Sequence, residues 1–350
     1  MIVVGLTGKP GSFKLETYGE WPLPSGLVVD GEVIDADLFA RELKEMVGKY
    51  KLRGKAVNLA VSNQKVIVRN IEMPDMTEEE LVGAIQFQAQ EYIPIPIEEV
   101  VLDTQVTNKK VAPDGTARQD VLLVAAQKTM VEIMLAGIRQ SGLKVDGIDV
   151  ASLALTRSLL PDASLFPGAT STGISRGIAD ISSSVSTLLV AVDGVMRFTR
   201  IVNFPSDRFA RSLLESIGVS YEDAQVMTQR IGLPGPYPPD SEFYPDNVIR
   251  DTQAVLTKVG MELAEEIKRS FDYYRGQERA AAVSELTLSG RGALVRNLDA
   301  HLSNTLGMPV VIGNPLTHIA YNGSGRPDAE LAAMAPCLSI AIGLALAGDD

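Results

Sequence analysis

The sequence predicts an α/β protein with a duplicated fold, in which each half carries an inserted segment. The order strand, strand, helix, strand over residues 1–61 recurs in the second half from residue 178 onward. Between these copies, residues 66–147 alternate strand-like and helical apolar patterns, which indicates an α+β subdomain inserted into the first half. Residues 219–279 are mainly helical in pattern and interrupt the second half. The length of 350 residues also favours two domains over a single core.

Domain boundaries follow from composition. Residues 161–176 are rich in Ser, Gly and Pro, which is typical of a linker between two domains. The predicted domains are a first core (residues 1–65 and 148–170), the inserted subdomain (66–147), a second core (177–218 and 280–330), a helical subdomain (219–279) and a C-terminal helix (331–350).

Two helix starts in the inserted subdomain carry the spacing of a capping box, in which a hydroxyl residue is followed three positions later by a glutamate. Thr77 and Glu80 form one such pair, and Thr129 and Glu132 form the other. We expect helices to begin at both places.

Residues 177–204 are the most informative stretch of the second half. A strand ends at Ile181, a cluster of serines follows, and Asp193-Gly194 then predicts a tight hairpin turn between two further strands. Asp180 lies at the mouth of the serine turn, where backbone and hydroxyl donors can face an anion. A plain β-meander with a serine-rich tip is the alternative interpretation.

Composition excludes several classes of function. The formal net charge of -12 and the absence of a Lys/Arg-rich block argue against a nucleic-acid-binding surface. The single cysteine, Cys337, excludes a disulfide framework or a thiolate metal site, and His301 and His318 are isolated. No uninterrupted apolar run approaches the length of a membrane span, so we expect membrane contact to go through a partner.

Two further groups of residues could carry chemistry. Ser289-Gly290-Arg291-Gly292 follows a buried strand and precedes a helix, the position of a nucleotide-binding loop. A structural strand-to-helix turn would show the same pattern. Glu265, Lys268 and Arg269 share one face of a long helix, and a solvated face of charged residues is the alternative there.

The whole arrangement resembles the actin/Hsp70/sugar-kinase superfamily, with its actin-like (ribonuclease H-like) ATPase fold. Within it, EMPDMTEEELVGAIQFQAQEYIPIPIEEVVLDTQV, LAEEIKRSFDYY and LSGRGALVRNLDAHLSNTLGMPVVIGNPL are similar to the PilM family, actin-like cytoplasmic proteins of type IV pilus assembly. An FtsA-like cell-division protein and a sugar-kinase-like phosphotransferase are the alternatives. A kinase would need an acid or base beside an acceptor sugar, and no motif supplies one. An FtsA-like protein would need a C-terminal amphipathic membrane helix, but the last predicted helix lacks basic residues.

The resemblance implies that ATP, with Mg²⁺, binds between two domains and is turned over slowly or not at all, so that the nucleotide is structural or regulatory. It also implies recruitment from the cytoplasm to the inner membrane by the cytoplasmic N-terminal peptide of a PilN-like protein. Asp180 would hold magnesium through a bound water, although Ser182 stands where the family usually has glycine in its second phosphate loop. The residues that the resemblance places at the nucleotide are Asp180, Ser182, Ser183, Ser184, Glu265, Lys268, Arg269, Gly290, Arg291 and Gly292.

Comparison of the two halves gives one more expectation. Residues 1–6 and 12–21 align with the second and third strands of the second half, so a first strand with an Asp-Ile-Gly-like phosphate loop has no counterpart in this sequence. We expect codons for such a segment upstream of Met1, and weak ATP binding by a chain that truly begins there.

Overall fold

A computed structural model describes residues 1–112, 114–160, 173–277 and 280–347, without the side chains of residues 86–90. The first half contains β1 (Ile2–Thr7), β2 (Phe13–Glu20), β3 (Val28–Val29), β4 (Glu32–Val33), α1 (Ala36–Lys49) and β5 (Ala56–Val61). The inserted subdomain contains β6 (Val66–Pro74), α2 (Glu78–Tyr92), β7 (Val100–Val111), β8 (Ala117–Gln127) and α3 (Lys128–Ser141), and β9 (Lys144–Val150) and α4 (Ala151–Leu159) return to the first half.

The second half begins at β10, so most of the predicted linker, residues 161–172, lies outside the described residues. Its elements are β10 (Ser175–Ile181), β11 (Ser186–Val192), β12 (Val195–Val202), α5 (Arg208–Ile217), α6 (Tyr221–Arg230), α7 (Asp246–Arg275), β13 (Glu285–Ser289), α8 (Leu298–Leu306), β14 (Val310–Ile312), β15 (Ile319–Asn322), α9 (Asp328–Met334) and α10 (Ser339–Ala345).

A five-stranded sheet of order β12-β11-β10-β13-β14 organises the second half. β10 pairs antiparallel with β11 and parallel with β13, so this strand is hydrogen-bonded along both edges. The predicted turn at Asp193-Gly194 is confirmed, because both residues have positive φ, as the favoured two-residue hairpin turn requires. Side chains from α5, α7 and α8 cover one face of the sheet and form the largest apolar core, in which Phe209 and Ile267 are fully buried.

The first half repeats part of this order. β1 and β2 are antiparallel, as β11 and β12 are, and β5 and β9 are parallel, as β13 and β14 are. In the sheets that the structure describes, β1 and β5 belong to separate sheets. Helix α10 contacts both strands, and Asn58 Nδ2 donates to the Leu344 carbonyl at 3.4 Å. The expectation of an upstream strand stays a prediction.

The inserted subdomain is a three-stranded sheet of order β6-β8-β7 with α2 packed on one face. The capping box at Thr77 and Glu80 is confirmed, because each side chain bonds the other residue's backbone N–H. The box predicted at Thr129 and Glu132 is wrong: α3 begins one residue earlier, after Gln127, with no side-chain cap. The helix follows directly on β8, so the register of the strand fixes its start.

Two predicted boundaries near the C-terminus need correction. Residues 319–322, assigned to the second core, form β15, which pairs in parallel with β2 of the first half. The single C-terminal helix predicted over 331–350 is two helices, α9 and α10, joined by a 3-10 turn that contains Pro336; residues 348–350 lie outside the description. Proline lacks an N–H, and its carbonyl accepts from Gly290 N and Ser289 Oγ, so a continuous helix is interrupted there.

Within the described ranges, one stretch is long and apolar enough to cross a membrane by length and composition alone, Asp328–Ala345. It coincides with this broken helix, and 44% of it is buried inside the fold. Core helices of soluble proteins pass the same test.

The packing of α10 on α4 gives a test of this architecture. A Cβ atom added to Gly343 would lie 1.9 Å from the Ala154 carbonyl oxygen, whereas one added to Gly48 of α1 would meet nothing within 4 Å. Gly343→Ala should therefore lower the free energy of unfolding by about 1 to 3 kcal/mol, since backbone must move to admit the methyl group. Gly48→Ala should raise it by about 1 kcal/mol, because alanine is the better helix former. Urea unfolding measures both, and a stabilised Gly343→Ala variant would contradict the described packing.

Candidate functional site

The ends of β10 and β13 bring the predicted strand-end residues together. The two strands are parallel neighbours, with Asp180 paired with Ser289. Because carboxyl ends of parallel strands meet at one edge of a sheet, the serine turn after β10 lies beside the glycine loop after β13. The structure therefore assembles one group from two segments that are more than a hundred residues apart in the chain.

Asp180 is buried, with 2% of its surface exposed. Its Oδ2 accepts a hydrogen bond of 2.6 Å from the Ser182 hydroxyl. Burial raises the pKa of the Asp180 carboxyl, and this effect outweighs the hydrogen bonds from Ser182 and Ser289, which act in the opposite direction. The carboxyl is thus held in a dry, hydroxyl-lined position.

The serine turn connects the two halves. Ser184 Oγ accepts from Gly31 N at 2.9 Å, in the turn between β3 and β4. Ser183 is exposed, and the Ser182 carbonyl accepts from Ser206 N at 2.8 Å. The turn is therefore fixed at both ends and contacts the first half through its tip.

The glycine loop is shaped by its contact with the end of β10. Gly290 has φ +76°, and a Cβ there would lie 2.6 Å from the Ile181 carbonyl oxygen. A Cβ on Gly292 would lie 2.5 Å from Ile181 Cβ. Strand packing alone thus requires both glycines. Arg291, between them, is exposed and forms an ion pair with Glu20 of the first half.

The three charged residues of α7 differ from this group because their side chains are exposed to solvent. Glu265, Lys268 and Arg269 are all exposed, and Arg269 pairs with Glu266 rather than with Glu265. The structure brings together the residues of the two strand ends, and it leaves the side chains of these three in solvent.

A cavity of about 330 Å³ lies between the halves, next to the serine turn. The carboxyl ends of β5 and β9, the first turn of α4, the start of β6, Thr187 of β11 and residues 199–201 of β12 form its walls. Its lining residues are Val61, Ser62, Gln64, Val66, Ile67, Val68, Arg69, Val150, Ala151, Ser152, Thr187, Thr199, Arg200 and Ile201.

Hydroxyl groups dominate the polar lining of this interdomain cavity. Ser62 and Thr187 share a hydrogen bond of 2.9 Å across the halves. Ser152 Oγ, 1% exposed as a residue, and Thr199 Oγ1 have no hydrogen-bond partner in the described part of the chain. A buried hydroxyl without a partner costs about 1 to 3 kcal/mol, so a ligand or water that bonds it is favoured.

The first turn of α4 adds backbone donors to the interdomain cavity. Val150 occupies its N-cap and supplies no side-chain acceptor. The free N–H groups of a helix N-terminus favour an anion, and Arg69 and Arg200 line the same space. Sequence reasoning missed Ser152, Thr187 and Thr199, because no motif marks isolated hydroxyl residues.

A second, more open cavity of about 540 Å³ begins directly after the glycine loop. Residues 293–297 form one wall and residues 237–240 the other. Arg296 and Asp240 pair across it at 3.4 Å, and Asn297 Nδ2 donates to the carbonyls of Leu233 and Tyr237. No group of three or more His, Cys, Asp and Glu side chains that could hold a metal ion occurs among the described residues.

Comparison with known proteins gives the family. A family model described as type IV pilus assembly protein PilM matches residues 1–349. The chain belongs to the PilM family. A structure of a PilM-PilN type IV pilus biogenesis complex is 25% identical, with a TM-score of 0.80, and the alignment covers 98% of this chain and 94% of that one.

The fold class is confirmed by a more distant likeness. MreB 5 of Spiroplasma citri bound to AMPPNP is 12% identical, with a TM-score of 0.50 over 90% of this chain and 76% of that one. The predicted actin-like α/β fold is therefore that of this PilM family member.

The buried carboxyl makes stability depend on pH. The pKa of the Asp180 carboxyl is higher in the folded than in the unfolded protein, so ionisation of this carboxyl destabilises the fold. The destabilisation is complete at a pH above the folded pKa and absent at a pH below the unfolded pKa. Asp180→Asn should therefore increase the free energy of unfolding at pH 7 by about 1 to 3 kcal/mol. The gain should shrink as the pH approaches about 4.

Denaturant unfolding at both pH values checks this expectation, with Asp272→Asn, an exposed position on α7, as the control. The control should change stability little at either pH. A loss of stability in Asp180→Asn at pH 7 would show that the carboxylate is needed in its charged form.

Proposed function

We propose that this chain is a cytoplasmic scaffold of type IV pilus assembly, or of a related type II secretion system. It binds nucleotide between its halves and the N-terminal peptide of a PilN-like inner-membrane protein. The observation that carries the proposal is the PilM family match over residues 1–349, with the likeness to a PilM-PilN complex. The same match disfavours the FtsA-like and sugar-kinase alternatives.

The interdomain cavity and the strand-end group support nucleotide binding. An unpaired buried hydroxyl and an uncapped helix N-terminus are donors suited to phosphate oxygens. The second cavity, beyond Gly292, has the room for a nucleoside. We assign the phosphates to Ser152, Thr187 and the serine turn, and the nucleoside to the glycine loop and α7, with Glu265, Lys268 and Arg269 at its edge. The MreB 5 structure contains the ATP analogue AMPPNP, which fits this assignment.

Asp180 is the proposed magnesium residue, acting through a metal-bound water. Magnesium at nucleotide phosphates typically uses one or two carboxylates and keeps several waters, so a single aspartate suffices. Here the Asp180 carboxyl bonds Ser182, and burial favours its neutral form. The carboxyl must therefore lose its proton before it bonds such a water as a carboxylate. This requirement fits a nucleotide that is structural or regulatory rather than rapidly hydrolysed.

The inserted subdomain supplies the proposed peptide site, together with the adjoining first domain. The apolar cluster between them is incompletely covered, because Val124, Met134 and Leu135 are only half-buried at its border. Val101 extends this border: it pairs with Ala126 of the cluster across β7 and β8, and 47% of it is exposed. β7 is an edge strand in the described sheet, so its free backbone groups can also bind an extended peptide.

The nucleotide assignment predicts different effects for substitutions of two serines of α4. Ser152→Ala removes the unpaired hydroxyl and should weaken ATP binding about 10- to 100-fold, since a hydrogen bond to a charged group contributes about 1.5 to 3 kcal/mol. Ser158→Ala removes a hydroxyl that bonds Leu155 O in the same helix and should leave ATP affinity unchanged. Calorimetric titration with ATP and Mg²⁺ measures both. Equal ATP affinity of Ser152→Ala and the unaltered chain would show that the phosphates of ATP do not bind in the interdomain cavity.

The peptide assignment predicts a difference between two valines of the same strand. Val101→Glu should weaken binding of the PilN-like N-terminal peptide at least about 10-fold, because a charge would enter the apolar border. Val111→Glu, at a position 72% exposed near the hairpin tip, should bind as the unaltered chain does. Fluorescence anisotropy of a labelled peptide gives the comparison, and deletion of residues 66–147 gives the limiting case. Equal peptide binding by all forms would place the peptide elsewhere.

A further inference from the structure

A basic cluster occupies one end of the first half, although the chain as a whole is acidic. Residues 49–55, KYKLRGK, contain four cations and no acidic residue, which corrects the expectation that this protein of net charge -12 has no Lys/Arg-rich block. Arg139 and Lys144 join them in space. Gly54 N donates to Gly142 O at 3.2 Å, and Lys144 N donates to Lys55 O at 3.0 Å. We define the basic cluster as Lys49, Lys51, Arg53, Lys55, Arg139 and Lys144.

These cations are exposed and lack anionic partners. All six side chains are exposed, and none of them forms an ion pair within the described chain. Lys49 Nζ instead lies 5.5 Å from the ring centre of Trp21 and 5.2 Å from that of Tyr50. The nearest exposed carboxylates on the same segments are Glu45 and Asp146, so a clear positive excess remains.

Helix dipoles account for only part of the basic cluster. Lys49 and Arg139 lie in the last turns of α1 and α3, where a cation is favoured. Lys51, Arg53, Lys55 and Lys144 lie outside helices. Their segment is rigid, because Leu52 is buried and its N–H bonds Val47 O at 2.9 Å. A rigid array of unpaired cations against an acidic background indicates an anionic ligand.

The position of the basic cluster in the fold indicates which kind of anionic ligand it can bind. None of the six cations of the basic cluster lines either of the two cavities described above. Its cations are instead carried at the amino ends of β5 and β9, where Ala56 pairs with Lys144. Such an array fits an extended surface with many negative charges.

We propose that the basic cluster contacts anionic lipid headgroups of the membrane. This inference depends on the proposed function, since that function places the protein at the inner membrane through a PilN-like partner. The attraction between a basic residue and an anionic bilayer falls off within a Debye length, about 8 to 10 Å at physiological salt, so the basic cluster acts when this face of the protein lies against the bilayer. The carboxyl ends of β5 and β9, which line the interdomain cavity, then face away from the bilayer.

Vesicle binding of the full chain tests the proposal. The probe is vesicles containing phosphatidylglycerol, with phosphatidylcholine vesicles as the comparison. The test variant is Lys51→Asn, Arg53→Gln, Lys55→Gln and Lys144→Gln combined; asparagine is used at position 51 because Lys51 has φ +56°. The matched control neutralises four exposed cations elsewhere: Lys9→Gln, Lys128→Gln, Lys258→Gln and Arg275→Gln.

The unaltered chain should bind phosphatidylglycerol vesicles and release them as salt rises, with no binding to phosphatidylcholine. The test variant should bind roughly 100- to 1,000-fold more weakly, and the matched control should stay near the unaltered chain. Trp21, the single tryptophan, lies beside Lys49, so its fluorescence should change on vesicle binding. Equal weakening in both variants, or binding to an RNA or DNA oligonucleotide but not to vesicles, would overturn the proposal.

The PilN-like peptide separates this inference from the proposed function. The test variant should bind the peptide normally, because the basic cluster and the Val101 border are different surfaces. Peptide binding without vesicle binding in the unaltered chain would overturn the lipid contact alone. Vesicle binding without peptide binding would overturn the proposed partner and leave the lipid contact standing.

Discussion

The pairing of β10 along both of its edges is the constraint on which the rest of the second half depends. The strand is buried almost throughout, and its partners β11 and β13 arrive from segments far apart in the chain. Their hydrogen bonds fix the end of β10, and Ile181 at that end leaves no room for side chains on Gly290 and Gly292. The position of Asp180 follows from the same register. Backbone pairing thus determines where the polar residues of the site can be.

Contacts between the halves depend in turn on this strand end. The Ser184 bond to Gly31, the Ser62 bond to Thr187 and the ion pair of Arg291 with Glu20 all start from β10 or its neighbours. The exposed ion pair contributes little on its own. The hydrogen bond between Ser62 and Thr187 joins the walls of the interdomain cavity, because each residue lines it from one half.

Short sequence motifs were sufficient to predict turns and helix starts whose geometry depends only on the residues of the motif. Asp193-Gly194 predicted its turn because positive φ is required there, and Thr77 with Glu80 predicted a helix start because the reciprocal bonds need only those two residues. The same spacing at Thr129 and Glu132 failed, because the strand before it sets the helix start. The cavity could not be predicted, since its hydroxyl residues come from four separate segments and bear no shared motif. Pro336 is a local signal that a helix ends or kinks, and the prediction of one helix over residues 331–350 overlooked it. The hydrogen bond from Gly290 N to the Pro336 carbonyl could not be predicted, because it joins segments that are distant in the chain.

β6 belongs to two environments at once. Its residues 66–69 line the interdomain cavity. It also pairs with β8, and Val124 of β8 is a half-buried residue of the apolar cluster at the proposed peptide site. Asn70, also on β6, donates to the Met196 and Arg197 carbonyls of the second half. A ligand that displaces this strand at one place therefore changes the geometry at the other. Thermodynamic reciprocity then applies: if occupancy of the cavity alters affinity at the apolar border by some factor, occupancy of the border alters affinity in the cavity by that same factor.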